Sequence, residues 1–127
     1  MSKFNNFEEL EVWKKARMLT FEIYQISGTS AFSKDFSLKD QIRRAGISVM
    51  LNIAEGCSRR SDREFSQFLF IAIGSIAEIQ SSLYIALDQK YVDARNFKCL
   101  YEQAGEVGRM LSGLVKYLRQ SSGGNTG

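Results

Sequence analysis

Residues 37–60, SLKDQIRRAGISVMLNIAEGCSRR, and residues 64–86, EFSQFLFIAIGSIAEIQSSLYIA, are separated only by Ser61, Asp62 and Arg63. In the first stretch Leu38, Ile42, Ala45, Val49 and Ile53 recur at steps of three and four; in the second Phe65, Leu69, Ala72, Ile76, Ile79, Leu83 and Ala86 do the same. That spacing lays an apolar stripe along one side of a helix and does not fit the two-residue repeat of a strand. Ser37 is the expected N-cap of the first helix, which should close near Gly56. Ser61 and Glu64 have the S-x-x-E spacing of a capping box for the second. A turn this short makes the two helices antiparallel neighbours.

The same period continues outward. Val12, Ala16, Leu19, Ile23 and Ile26 form an earlier stripe with Trp13 and Thr20 beside it, and Gly28 is a natural stop. Phe97, Leu100, Ala104, Val107, Leu111, Leu114 and Leu118 form a later one, with Asp93 placed to cap it. The chain of 127 residues contains no proline, so no such breaker interrupts these helices. The reading is all-α: an up-down-up-down antiparallel four-helix bundle over residues 1–120, followed by a flexible tail, residues 121–127 (SSGGNTG).

The two central helices carry more than a core stripe. Ile47, Leu51 and Ala54 on one, and Phe70, Ile73 and Ala77 on the other, add a second apolar face that three partner helices leave uncovered. A homo-oligomer interface built on these six residues is the expectation, and burial within one large core the alternative. Beside the stripe runs a polar row: Gln41, Arg44, Ser48, Asn52 and Glu55 on the first helix, with Gln67, Ser75, Glu78 and Ser82 on the second. A turn centred near residue 61 sets Arg44 opposite Glu78, Glu55 opposite Gln67 and Ser48 opposite Ser75. A half-buried Arg44–Glu78 ion pair would fix register. The alternative is a pocket in which Arg44, Glu55 and Glu78 act on an anionic metabolite.

Composition narrows the chemistry. There is no histidine, which removes the Glu-x-x-His ligands of a helical di-iron site and the usual base for a cysteine nucleophile, so no metal or cofactor is expected. Cys57 and Cys99 form no C-x-x-C, which fits a reduced, cytoplasmic setting; Cys57 has Arg59 and Arg60 nearby as conceivable activators. The N-terminus lacks a signal-peptide core, and no run nears the roughly 18 continuous apolar residues of a membrane span. No Gly-rich phosphate loop is present. The net charge of +3 is mildly basic and unevenly spread. Arg43, the turn cluster Arg59, Arg60 and Arg63, and the outward row Arg109, Lys116 and Arg119 are the candidate nucleic-acid contacts, each with a solvated face as its bland counterpart.

QIRRAGISVMLNIAEG followed by EFSQFLFIAIGSIAE, together with EVWKKA around Trp13, resembles the four-helix bundle proteins encoded by intervening sequences of bacterial 23S rRNA genes. Gln41, Arg43, Arg44, Ser48, Asn52, Glu55, Gly56, Phe65, Gly74, Ser75 and Glu78 fall on that family's pattern, and the likeness spans nearly the whole chain. Ser33 and Met50 stand where the family often has proline, which bears on loop geometry and helix bending. The resemblance implies a homopentameric barrel around a basic channel that binds nucleic acid, RNA first, without enzymatic activity. It also implies a scaffold alternative, because the accessory proteins of diversity-generating retroelements are similar in fold and partner a reverse transcriptase.

Overall fold

The computed structural model describes residues 6–126, with side chains through Gln120. Four helices make up most of it: α1 (Glu11–Ser27), α2 (Phe36–Cys57), α3 (Asp62–Asp88) and α4 (Ala94–Thr126). Short 3-10 turns at Phe7–Glu9 and Phe32–Lys34 precede α1 and α2, and no strand occurs among the described residues. The helical backbone of α4 continues into the segment read as a flexible tail; the side chains of residues 121–127 lie outside the described residues. Each helix packs on its two neighbours in the ring α1, α2, α3, α4, and α3 makes the most extensive contacts, to α2 and α4.

The apolar stripes form the core. Every stripe residue of α2 and α3 is buried, as are Val12, Ala16, Leu19 and Ile23 of α1. On α4 Leu100, Ala104, Val107, Leu111 and Leu118 are buried, but Val115, outside the expected stripe, is buried where Leu114 is only partly so. A straight helix drifts by about 20° per heptad against a strict seven-residue repeat, so the buried side of a long helix slides by one position. By length and composition α3 is apolar enough to cross a membrane. Here the ten residues of its core side are buried within the bundle.

The helix ends show how local chemistry sets the turns. Asp35, not Ser37, caps α2: its carboxylate accepts the Leu38 amide at 3.1 Å. The 3-10 turn before it delivers the chain to the helix two residues earlier than the apolar pattern implies. Ser61 caps α3, its Oγ accepting the Glu64 amide at 3.1 Å and donating to the Glu64 carboxylate at 3.1 Å, so the expected box closes through the side chain. Asp93 caps α4, accepting from the Asn96 amide at 2.7 Å. At the far end of α3 the Tyr91 amide reaches Ala86 O at 2.8 Å and the Lys90 amide reaches Leu87 O at 3.0 Å, the bond pair of a Schellman motif. Lys90 takes the left-handed position with φ of 63°.

Two features fix the ends of the bundle. At the α2–α3 turn Gly56 is pressed on Phe65 and Phe68; a Cβ there would stand 2.7 Å from Phe65 Cδ1 and 3.0 Å from Phe68 Cβ. At the opposite end the buried Phe32 ring stacks on Tyr91 with centroids 5.4 Å apart. The Tyr91 hydroxyl donates to Asp35 Oδ2 at 3.0 Å, tying the α3–α4 turn to the cap of α2.

Candidate nucleic-acid interface

The polar row between α2 and α3 is correct in register and different in its charges. Ser75 Oγ donates to Ser48 Oγ at 2.8 Å, and Asn52 Nδ2 donates to Ser48 Oγ at 3.0 Å and Ser48 O at 2.8 Å. Glu78 accepts from Gln41 Nε2 at 3.4 Å. The expected Arg44–Glu78 pair does not form: Arg44 Nε binds Asp40 Oδ2 at 2.9 Å, with side chains 74% and 64% exposed. Glu55 turns to Arg59 at 3.0 Å rather than to Gln67. These charged groups lie on the solvent side of the seam, where an i,i+4 partner on the same helix is as good as one across it. The expected half-buried, register-fixing ion pair is therefore replaced by a neutral serine–asparagine ladder.

The basic candidates separate into three groups. Arg43 is turned inward to α1: its Nε donates to Ser27 Oγ at 2.8 Å, its Nη2 to Tyr24 O at 3.2 Å, and its guanidinium lies 4.4 Å from the Tyr24 ring centroid. This fork ties the last turn of α1 to α2, adding a second donor to Tyr24 O, which already accepts the Gly28 amide at 3.1 Å. Arg59 is bound to Glu55 and lies 4.8 Å from the Phe68 ring centroid, while Arg60 is exposed at the turn. Cys57, beside them, is buried, and burial first and Glu8 second raise its thiol above the ordinary value. That is opposite to the shift that would make it a nucleophile.

Arg63, Arg109, Lys116 and Arg119 line one continuous groove between α3 and α4. Its end near the α2–α3 turn is bordered by Arg63, Ser66, Gln67, Phe70 and Arg119. The next section shares Phe70 and Arg119 and adds Ile73, Ser112 and Lys116. The last shares Ile73 and Ser112 and adds Ala77, Gln80, Gly105, Gly108 and Arg109. From Arg63 to Gln80 the groove follows α3 for about 25 Å, at about 1.5 Å per residue. One wall is basic, since Arg109, Ser112, Lys116 and Arg119 are spaced to share a face of α4. The α3 wall is polar toward its ends, at Arg63, Ser66, Gln67 and Gln80, and apolar between them, where it includes the half-exposed Phe70 ring under the Arg119 guanidinium at 4.9 Å.

The six expected interface residues accordingly do not form one patch. Phe70, Ile73 and Ala77 face the α4 side and line the groove. Ile47 and Leu51 are exposed on α2, and Ala54 is part-buried. Their neighbours across the α2–α3 register are Ile71 and Gly74, which the apolar count on α3 did not single out. Leu51 is 63% exposed and Ile71 53%. Gly74 sits mid-helix facing open space, with nothing beyond its own stretch of helix within 4 Å of where a Cβ would be. Ser66 was also missed. The row Ser66, Phe70, Ile73, Ala77 has helical spacing, but its partner, the basic row of α4, lies some forty residues away in sequence.

Comparison with known proteins agrees with this architecture. A crystal structure of a protein of unknown function from the S23 ribosomal protein family of Bacteroides thetaiotaomicron superposes with a TM-score of 0.76, at 23% identity, over 83% of this chain and 98% of that one. At that identity the likeness concerns the fold alone. Among curated proteins none matches. The sequence profile of the 23S rRNA-intervening sequence proteins matches residues 8–113, which contain all the stripes of the first three helices and most of the fourth. The chain belongs to the 23S rRNA-intervening sequence protein family.

Proposed function

We propose that this chain is a non-enzymatic RNA-binding protein that grips the phosphate backbone in the α3–α4 groove and works as a homo-oligomer. The observation that carries the reading is the convergence of Arg63, Arg109, Lys116 and Arg119 on one groove, none of them held in an ion pair among the described residues. Four cations outside any ion pair along about 25 Å suit a strand of regularly spaced phosphates better than one compact anion. The family's name associates such proteins with rRNA, which favours RNA as the nucleic acid.

Self-association is the second part of the proposal. Ile47, Leu51 and Ile71 are exposed on the α2–α3 face away from the groove, and the outward Gly74 leaves room for another backbone to approach. A closed ring of copies, five by the family resemblance, would repeat the groove around one axis and multiply weak contacts.

Titration of a labelled structured RNA at several salt concentrations tests this. Four phosphate contacts predict a slope of log K against log salt of about −3 to −4, a roughly 60- to 250-fold loss between 50 and 200 mM. Reversing charge in Arg109→Glu/Lys116→Glu should cut affinity and flatten the slope. Absence of RNA binding, or binding unaffected by salt and by these substitutions, would sink the reading.

A further inference from the structure

The end of the groove at the α2–α3 turn is chemically unlike the rest. It holds a recess of about 360 Å³ walled by Arg63, Ser66, Gln67, Phe70, Leu118 and Arg119. Asp62 stands on the same wall and is itself engaged within the protein. Ser66 is only 6% exposed, and its Oγ has no hydrogen-bond partner among the described residues. A buried hydroxyl without a partner is uncommon and destabilising unless something outside the chain completes it. The carbonyl four residues back, the usual refuge of a helical serine, is not used: Thr20, Ser27 and Ser75 make that bond and Ser66 does not.

Three more groups converge there. Arg63 and Arg119 take part in none of the ion pairs among the described residues. The Arg119 guanidinium stacks over Phe70 at 4.9 Å, giving a flat layer of cation and ring. Gln67 supplies an amide that both donates and accepts. A recess of this volume falls at the small end of pockets for organic ligands, about 300–1,000 Å³, and is too small for a duplex.

We propose that this recess is a nucleotide pocket, which takes one unstacked nucleotide unit with its base against the Phe70–Arg119 layer and its phosphate at Arg63. The Gln67 amide completes the polar edge of the base or sugar, and the Ser66 hydroxyl, closed off from solvent in the free protein, joins it when the side chain turns toward the recess. Planar guanidinium and aromatic faces are the surfaces on which splayed-out bases stack, and edge hydrogen bonds then select among them. In the strand-bound form this inference rests on the proposed RNA binding by the groove: the groove holds the backbone and the pocket reads one unpaired position. The same chemistry would hold a free mononucleotide.

Two measurements separate the sources. The first compares an RNA hairpin carrying a single bulged 2-aminopurine with its fully paired counterpart. The pocket predicts roughly tenfold tighter binding of the bulged RNA, within the range of one base stacked on an aromatic side chain, and quenching of the bulged base. Phe70→Leu and Ser66→Ala should bring the ratio of bulged to paired affinity near one. Lys116→Glu should weaken both RNAs and leave the ratio high. The second is calorimetric titration of the RNA-free protein with adenosine 5′-monophosphate, with melting curves to show that each variant is folded.

Loss of all RNA binding together with absence of mononucleotide binding removes the groove reading and the pocket with it. RNA binding with a ratio of one, and no mononucleotide binding, overturns the pocket while the groove stands. Mononucleotide binding abolished by Phe70→Leu, with no bulge preference, supports the pocket and assigns it to the free nucleotide.

Discussion

Replacing Gly56 by alanine tests the argument that the α2–α3 turn is set by close contact. The added Cβ would lie 2.7 Å from Phe65 Cδ1, 3.0 Å from Phe68 Cβ and 3.2 Å from Phe65 O. Carbon atoms rest at about 3.5–4.0 Å, so two of these contacts are short by more than about half an ångström. Phe65 is 2% exposed and locked in the core, and its carbonyl belongs to the backbone of α3. Neither can yield without shifting the helix. Overpacking of this kind costs about 1–3 kcal/mol. Alanine's better helix propensity returns at most about 1 kcal/mol, less in a final turn. The expected net loss is about 1–2 kcal/mol, or roughly 3–10 °C in Tm for a domain of this size. Urea titration followed by far-UV circular dichroism, read as a lower midpoint at unchanged slope, is the assay. Gly74→Ala is the control, because its Cβ meets nothing within 4 Å. In a dilute, dissociated chain it should stabilise by up to about 1 kcal/mol. A Gly56→Ala protein as stable as the parent would refute the packing argument.

Other perturbations follow from particular contacts. Arg43→Ala removes two hydrogen bonds and the stacking on Tyr24, and should cost about 1–3 kcal/mol at this partly exposed site; a change within about 0.5 kcal/mol would return Arg43 to the pool of surface cations. Lys90→Gly relieves a left-handed residue and should raise stability by about 1 kcal/mol, read from the same urea titration; a drop would mean that the lysine stem packs usefully. The Tyr91 phenol is raised above its ordinary value, chiefly by its hydrogen bond to Asp35. A raised folded-state value stabilises fully below the unfolded value near 10 and fades as pH climbs through the folded one. Stability should therefore fall on the alkaline side, and Tyr91→Phe should flatten that fall in denaturation profiles from about pH 8 to 11. An unchanged profile would discount the bond.

The helices were legible because their apolar residues obey one period over many turns. Each stripe position of α2 and α3 is buried as that period implies, while the buried Cys57 and Ser66 lie off the stripes. The register of the seam was legible for the same reason: Ser48 meets Ser75 once the turn is centred on Ser61. What the pattern could not supply was the choice between near-equal partners. Arg44 has Asp40 one turn back as well as Glu78 opposite it in the antiparallel register, and exposure removes the penalty that would have forced the second. Nor could it separate two outward directions on one helix. Phe70 and Ile71 adjoin in sequence, yet one lines the groove with α4 and the other faces outward beside α2. Arg43 reads as a surface cation until Tyr24 O and Ser27 are placed beneath it.

The bond from Tyr91 to Asp35 spans 56 positions of sequence and joins the third link of the chain to the first. An up-down bundle can in principle come apart as two hairpins, each fraying from its open end. Here the entry to α2 is clasped by a residue of the other hairpin, and the Asp35 carboxylate that receives the phenol also holds the Leu38 amide. The start of α2 can unwind only if that clasp releases. Hydrogen exchange at Leu38 should then report opening of both hairpins together, making this end of the molecule a lock on cooperativity rather than a loose terminus.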